Sequence, residues 1–156
     1  MVEPEPLPKK RAVSFVVRKP GETDPRGVLA VRRPPDDEEL PDVWGLPATT
    51  LREGESWEEA LERAGREKLG VTLDPGVLLA EGGQDRTGSR HAGRTGYHLH
   101  MRVYEARVVE GTPVVPRTGG VGTQYVEWKW AEPFELEPAA KRGSLCTRLY
   151  LEAEER

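Results

Sequence analysis

One short helix with unusually clear boundaries constrains this 156-residue chain more than any other segment. Ser56 and Glu59 have the S-x-x-E spacing of a capping box, in which each side chain satisfies the other's otherwise orphaned backbone N–H. Trp57, Ala60, Leu61 and Ala64 then recur at helical spacing and form an apolar face. Glu59, Arg63 and Glu67 repeat at i, i+4 as a charge ladder, a weak stabiliser at roughly 0.2–0.5 kcal/mol per pair. Gly70 supplies the stop signal, so the spacing predicts a helix over 57–69. Gly65 inside it costs ~1 kcal/mol against Ala, which implies close backbone packing or a relaxed need for rigidity. By themselves these signals describe a surface helix on a core and no chemistry.

The flanks add the chemistry. Residues 46–71 read LPATTLREGESWEEALERAGREKLGV, preceded by Trp44 and Gly45. This stretch resembles the box of the Nudix family, G-x5-E-x7-R-E-U-x-E-E-x-G-U, where U is a bulky apolar residue. Glu55, Arg63, Glu67, Gly70 and Val71 fall in register without insertion or deletion. Four positions depart. Thr49 stands for the opening Gly, Ala64 for the Glu after the Arg, Gly65 for U, and Lys68 for the second Glu of the pair.

The resemblance implies an α/β/α sandwich with a mixed β-sheet, and an activity that splits phosphoanhydrides with Mg²⁺ or Mn²⁺. Such hard cations take oxygen ligands, offset phosphate charge and help make hydroxide from bound water. The family's helix carboxylates would share one face, but here those positions are Ala64, Glu67 and Lys68. Glu67 is therefore the surviving box ligand, with Glu55 as a weaker ligand or base and Arg63 orienting the carboxylates. The first position's backbone carbonyl, here of Thr49, is a further metal ligand by resemblance, although a β-branched residue resists the backbone angles that Gly allows. Lys68 puts a cation where a divalent metal is expected.

Composition narrows the partners. A formal net charge of -4 argues against bulk attraction to nucleic acid or to acidic membranes. No apolar run approaches the ~18 residues of a membrane span. The first residues, MVEPEPLPKKRAV, lack the apolar stretch of a secretory signal, and the single cysteine, Cys146, suits a reducing cytoplasm. A cytoplasmic protein is expected, with a flexible tail over 1–10 and one Nudix-like domain over 11–156. Nudix domains often pair, so a homodimer is one arrangement the resemblance implies.

The rest of the chain alternates strand-like and loop-like segments. Strands are predicted over 11–18, 27–33, 44–46, from 77 to at least 80, over 97–109 and over 125–130, with a closing helix over 144–155. His98 and His100 share one side of their strand. The 85–96 segment holds Arg86, Arg90 and Arg94 in an acidic protein. With His98 they are candidate contacts for phosphate or carboxylate oxygens through forked donors; a solvated hairpin tip is the alternative. No acid lies between Gly111 and Tyr125, where many Nudix enzymes supply a distal ligand. Two functions remain open. One is a divalent-metal-dependent hydrolase of a nucleoside diphosphate derivative or related organic pyrophosphate, weakened by the missing carboxylates. The other is an inactive Nudix domain serving as a nucleotide-binding, regulatory or protein-interaction module.

Overall fold

The computed structural model describes residues 8–20, 27–35, 40–86, 96–115 and 125–155. Their elements are β1 (Lys9–Val16), β2 (Val28–Arg32), β3 (Trp44–Gly45), β4 (Ala48–Thr50), α1 (Trp57–Ala64), β5 (Thr72–Arg86), β6 (Tyr97–Glu110), β7 (Glu127–Ala131), α2 (Glu137–Lys141) and α3 (Leu145–Glu154). A single wide π-helical turn, Gly65–Leu69, continues α1. A 3-10 turn, Pro133–Leu136, leads into α2.

The strands form two sheets, ordered β4-β1-β6-β5 and β3-β2-β7. The first is mixed: β1 runs parallel to β6 and antiparallel to β4. Period-2 alternation explains its burial on both faces. Val13, Phe15 and Val17 pack with Ala60, Leu61 and Ala64 of α1. Ala12 and Val16 pack with Leu145, Leu149 and Tyr150 of α3. β2 continues both cores, with Leu29 and Val31 on the α1 side and Val28 and Ala30 on the α3 side. The result is the expected α/β/α sandwich with a mixed sheet.

The expected strand near residue 77 begins five residues earlier, at Thr72, despite Pro75 and Gly76. β5 is an edge strand, where a missing N–H is tolerated, and its pairing with β6 is interrupted by register shifts around Pro75, Leu78 and Ala80. The short strand expected over 44–46 forms as Trp44–Gly45, and a further strand, Ala48–Thr50, follows it. Trp44 and Gly45 pair with β2, whereas Ala48–Thr50 crosses to the other sheet and pairs with β1. Ser14, fully buried, secures the crossing by donating to the Pro47 carbonyl at 2.7 Å. Among the described residues no helix is long and apolar enough to cross a membrane.

Candidate functional site

β4 is the outer strand of its sheet, so half of its backbone groups point away from β1. The Leu51 N–H donates to the Arg11 carbonyl. By antiparallel alternation, the Thr49 and Val13 pair is then also hydrogen-bonded, while Ala48 and Thr50 aim their groups off the sheet edge. α1 and its π turn lie along that edge and cap it with cations. Arg63 Nη2 donates to the Thr50 carbonyl at 2.8 Å, and Lys68 Nζ donates to the Ala48 carbonyl at 2.7 Å. The carbonyl exposed at this end of the box is therefore that of Ala48. Thr49 lies in ordinary extended backbone and offers its hydroxyl to Arg63 at 3.4 Å.

Arg63 is the hub. It holds Glu55 with two donors, Nε to Oε2 at 2.8 Å and Nη2 to Oε1 at 3.0 Å. Nη1 reaches Glu67 at 3.4 Å. Glu55 gets there through a turn in which Gly54 takes a φ of 78°, a conformation cheap only for Gly. Its carboxylate also accepts the Arg52 backbone N–H at 2.8 Å. The Arg63 hydrogen bond is the largest cause that pulls the Glu55 pKa down, and Glu55 in turn raises that of Arg63. Arg52, in no motif position, completes the group by donating to both Glu67 oxygens at 3.2 and 3.3 Å.

The structure thus brings Glu55, Arg63, Glu67 and Thr49 together. Ala64 is 1% exposed and belongs to the α1-side core. The helix also widens into the π turn just after it, so 67 and 68 no longer follow ideal α spacing. Gly65 permits this turn to sit tightly, because a Cβ there would lie 2.7 Å from Leu73 Cδ1 and 3.1 Å from the Val71 carbonyl.

The two basic candidates among the described residues, Arg86 and His98, do not converge. Arg86 donates to the Gly143 carbonyl at 3.2 Å, on the α3 side of the sheet. His98 lies on the opposite face, with Nδ1 2.7 Å from Asp85 and its ring 2.9 Å from where a Cβ on Gly83 would stand. Arg90 and Arg94 fall outside the described residues. A further cluster was not legible in the sequence. Trp57 meets His100 edge to face at 5.2 Å, with the guanidinium of Arg102 4.6 Å and that of Arg11 5.7 Å from its ring. Glu81 ties His100 and Arg102 together at 2.6 and 2.8 Å. Helical periodicity assigns Trp57 to the apolar face, which is half the story: its ring is partly buried but bordered by charge.

The metal that the resemblance implies does not fit these donors as they stand. Glu55 and Glu67 are engaged by guanidinium groups and the Ala48 carbonyl by an ammonium. Among the described residues no group of three or more His, Cys, Asp and Glu is placed to hold a metal ion.

The architecture has close counterparts. The MutT protein from Methanosarcina mazei Go1 superimposes with a TM-score of 0.65 at 18% identity, covering 96% of this chain and 97% of that one. The MutT NUDIX hydrolase from Burkholderia pseudomallei gives 0.66 at 23% identity, covering 93% and 97%. An ADP-ribose pyrophosphatase from Streptococcus suis gives 0.60 at 14% identity, covering 94% and 90%. No curated protein sequence matches the chain. At such identities structural likeness speaks for the fold alone, but the sequence profile of the NUDIX domain matches residues 8–148. With the box in register and its Arg63–Glu55 pair formed, the chain belongs to the NUDIX domain family.

Proposed function

We propose that this chain binds a nucleoside diphosphate derivative or a related organic pyrophosphate at the α1–β4 edge, and hydrolyses it weakly. The observation that carries the reading is the pairing of both remaining box carboxylates with guanidinium groups, Glu55 with Arg63 and Glu67 with Arg52 and Arg63. A family hydrolase relies on carboxylates to gather Mg²⁺ or Mn²⁺ around the scissile group. Here the hydrogen-bonded cluster presents Arg52, Arg63 and Lys68 against Glu55 and Glu67. That balance favours an anion over a divalent cation. The name of one structural neighbour, an ADP-ribose pyrophosphatase, supports a nucleotide or pyrophosphate ligand. Arg90 and Arg94 remain ligand contacts in this proposal, because forked guanidinium donors match phosphate oxygens.

If the chain has retained Mg²⁺ or Mn²⁺, these residues would have to rearrange to admit it. Each ~1.4 kcal/mol of lost transition-state stabilisation lowers the rate tenfold, so two absent carboxylates and an added ammonium remove several such factors. A binding-only module, with no turnover at all, is the second reading, and Lys68 on the Ala48 carbonyl favours it. The test is calorimetry against a panel of nucleoside diphosphate derivatives, in EDTA and in Mg²⁺ or Mn²⁺, with phosphoanhydride cleavage followed in parallel. Binding with slow or absent cleavage is expected. Metal-dependent turnover at about 1 s⁻¹ or faster, the ordinary enzymatic range, would overturn the reading.

A further inference from the structure

Lys68 differs from the two guanidinium groups of the cluster. Arg52 and Arg63 hold carboxylates. The partners of Lys68 among the described residues are neutral: the Ala48 carbonyl at 2.7 Å and the ring of Tyr125, whose centroid lies 5.2 Å from Nζ. Its neighbour Glu67 turns instead to Arg52 and Arg63. The perch is built with some care. Tyr125 is 3% exposed, and its hydroxyl bonds both the N–H and the carbonyl of Ala48, at 3.0 and 3.2 Å. The same tyrosine therefore fixes the carbonyl that Lys68 uses and supplies the π face beside its ammonium.

We propose that Lys68 is a built-in cation that replaces the divalent metal of this site, so that a pyrophosphate-class anion binds without Mg²⁺ or Mn²⁺. The ligand class rests on the function proposed above; the exchange of cation rests on the Lys68, Ala48 and Tyr125 geometry. An ammonium carries three donors and no acceptor. One goes to Ala48, which leaves donors for phosphate oxygens. A carbonyl and a ring face attract a cation without discharging it, so its charge stays available to an anion. A divalent ion approaching the same carbonyl would meet the ammonium head-on. Lys68 would then set specificity in two ways, by rejecting metal and by accepting the bare anion.

The experiment uses the full chain, with Lys68→Met and Lys68→Glu, both checked for folding by circular dichroism. Lys68 is half-exposed, so neither change buries a new charge. Mn²⁺ binding is read from the electron paramagnetic resonance signal of the free ion. Binding of inorganic pyrophosphate is read by calorimetry in EDTA and in Mg²⁺. The parent should bind pyrophosphate in EDTA as well as in Mg²⁺, and Lys68→Met should weaken binding in EDTA about tenfold or more, the range of one lost charged hydrogen bond. Lys68→Glu should raise Mn²⁺ affinity about tenfold or more, as an added carboxylate ligand does. A folded Lys68→Glu protein with no gain in Mn²⁺ affinity would overturn the exchange of cation. Pyrophosphate binding by the parent only when Mg²⁺ is present would overturn it too. Should pyrophosphate bind under neither condition while the Mn²⁺ gain stands, the ligand class fails and the exchange of cation survives.

Discussion

Arg63 clasps Glu55 through two donors at 2.8 and 3.0 Å, and the two side chains are only 9% and 13% exposed. The pair joins the middle of α1 to the turn that precedes it, and the same guanidinium caps the Thr50 carbonyl at the sheet edge. It is a structural rivet as much as a feature of the site. The box can therefore keep Arg63 and Glu55 for stability whatever has become of its chemistry.

Removing one partner should be costly. Arg63→Ala leaves a largely buried carboxylate and a free strand-edge carbonyl, and is expected to destabilise the fold by ~2–3 kcal/mol, somewhat below the range for fully buried pairs. Arg63→Lys keeps the charge but loses the fork, so it should recover less than half of that loss. Urea midpoints for the three proteins measure both effects; an unchanged midpoint in Arg63→Ala would contradict the rivet.

Acid should release the same clasp. The Glu55 pKa is lowered from its ordinary value of 4.5, first by the Arg63 hydrogen bond. A depressed folded pKa gives stability that is fully present above the unfolded value and is lost as pH falls through the folded one. The stability difference between the parent and Glu55→Gln should hold steady from neutrality down to about pH 4.5 and shrink below it. Chemical denaturation of both proteins at a series of pH values reads this directly. A gap that widens in acid would reverse the sign and refute the assignment.

Gly65 is expected to resist even alanine. Its missing Cβ would stand 2.7 Å from Leu73 Cδ1 and 3.1 Å from the Val71 carbonyl. Overpacking of this kind costs ~1–3 kcal/mol, more than the ~1 kcal/mol that alanine returns in helix propensity. Gly65→Ala should thus lower the thermal midpoint. The penalty should be smaller in a Leu73→Ala background, because one of the two obstructions is gone. Equal penalties in both backgrounds would place the strain elsewhere.

Restoring the family's carboxylates one at a time should give unequal results. Lys68→Glu falls at a half-exposed position and should be tolerated. Ala64→Glu starts from a residue that is 1% exposed in the α1-side core. It should cost at least ~1–3 kcal/mol, the range for overpacking. Denaturation of the two single variants and the double variant separates the costs. A stable Ala64→Glu protein that also binds Mn²⁺ would show that position 64 can still turn outward.

The basic segment between β5 and β6 has its own test. Arg90→Ala with Arg94→Ala should weaken nucleotide or pyrophosphate binding about tenfold or more if charged hydrogen bonds to the ligand are lost. Unchanged calorimetric affinity in a folded double variant would reduce these arginines to solvated charge.

The box shows how far a sequence can be read. The capping box of Ser56 and Glu59 forms as spaced, with mutual bonds at 3.1 Å. Gly70 ends the helical stretch in the left-handed region, at a φ of 73°. These are local interactions between residues three or four apart or at a chain reversal, so the local sequence is enough to specify them. The α/β/α order and the alternation of β1 are legible for the same reason, since period 2 and period 3.6 patterns declare which side of each element is apolar.

What the sequence by itself determined is which residues occupy the box: Glu55, Arg63 and Glu67 retained, with Ala64 and Lys68 where carboxylates belong. What those residues touch was decided only in three dimensions. Lys68 meets Ala48 and Tyr125, twenty residues before it and fifty-seven after it. Arg86 and His98, near neighbours across one hairpin, part to opposite faces because their side chains differ in pleat parity. Arg52 joins Glu67 across the turn and helix. Each contact depends on which strand lies at the sheet edge and which way its carbonyls point. Those properties belong to strand pairing over long sequence separations, and no local pattern of residues encodes them.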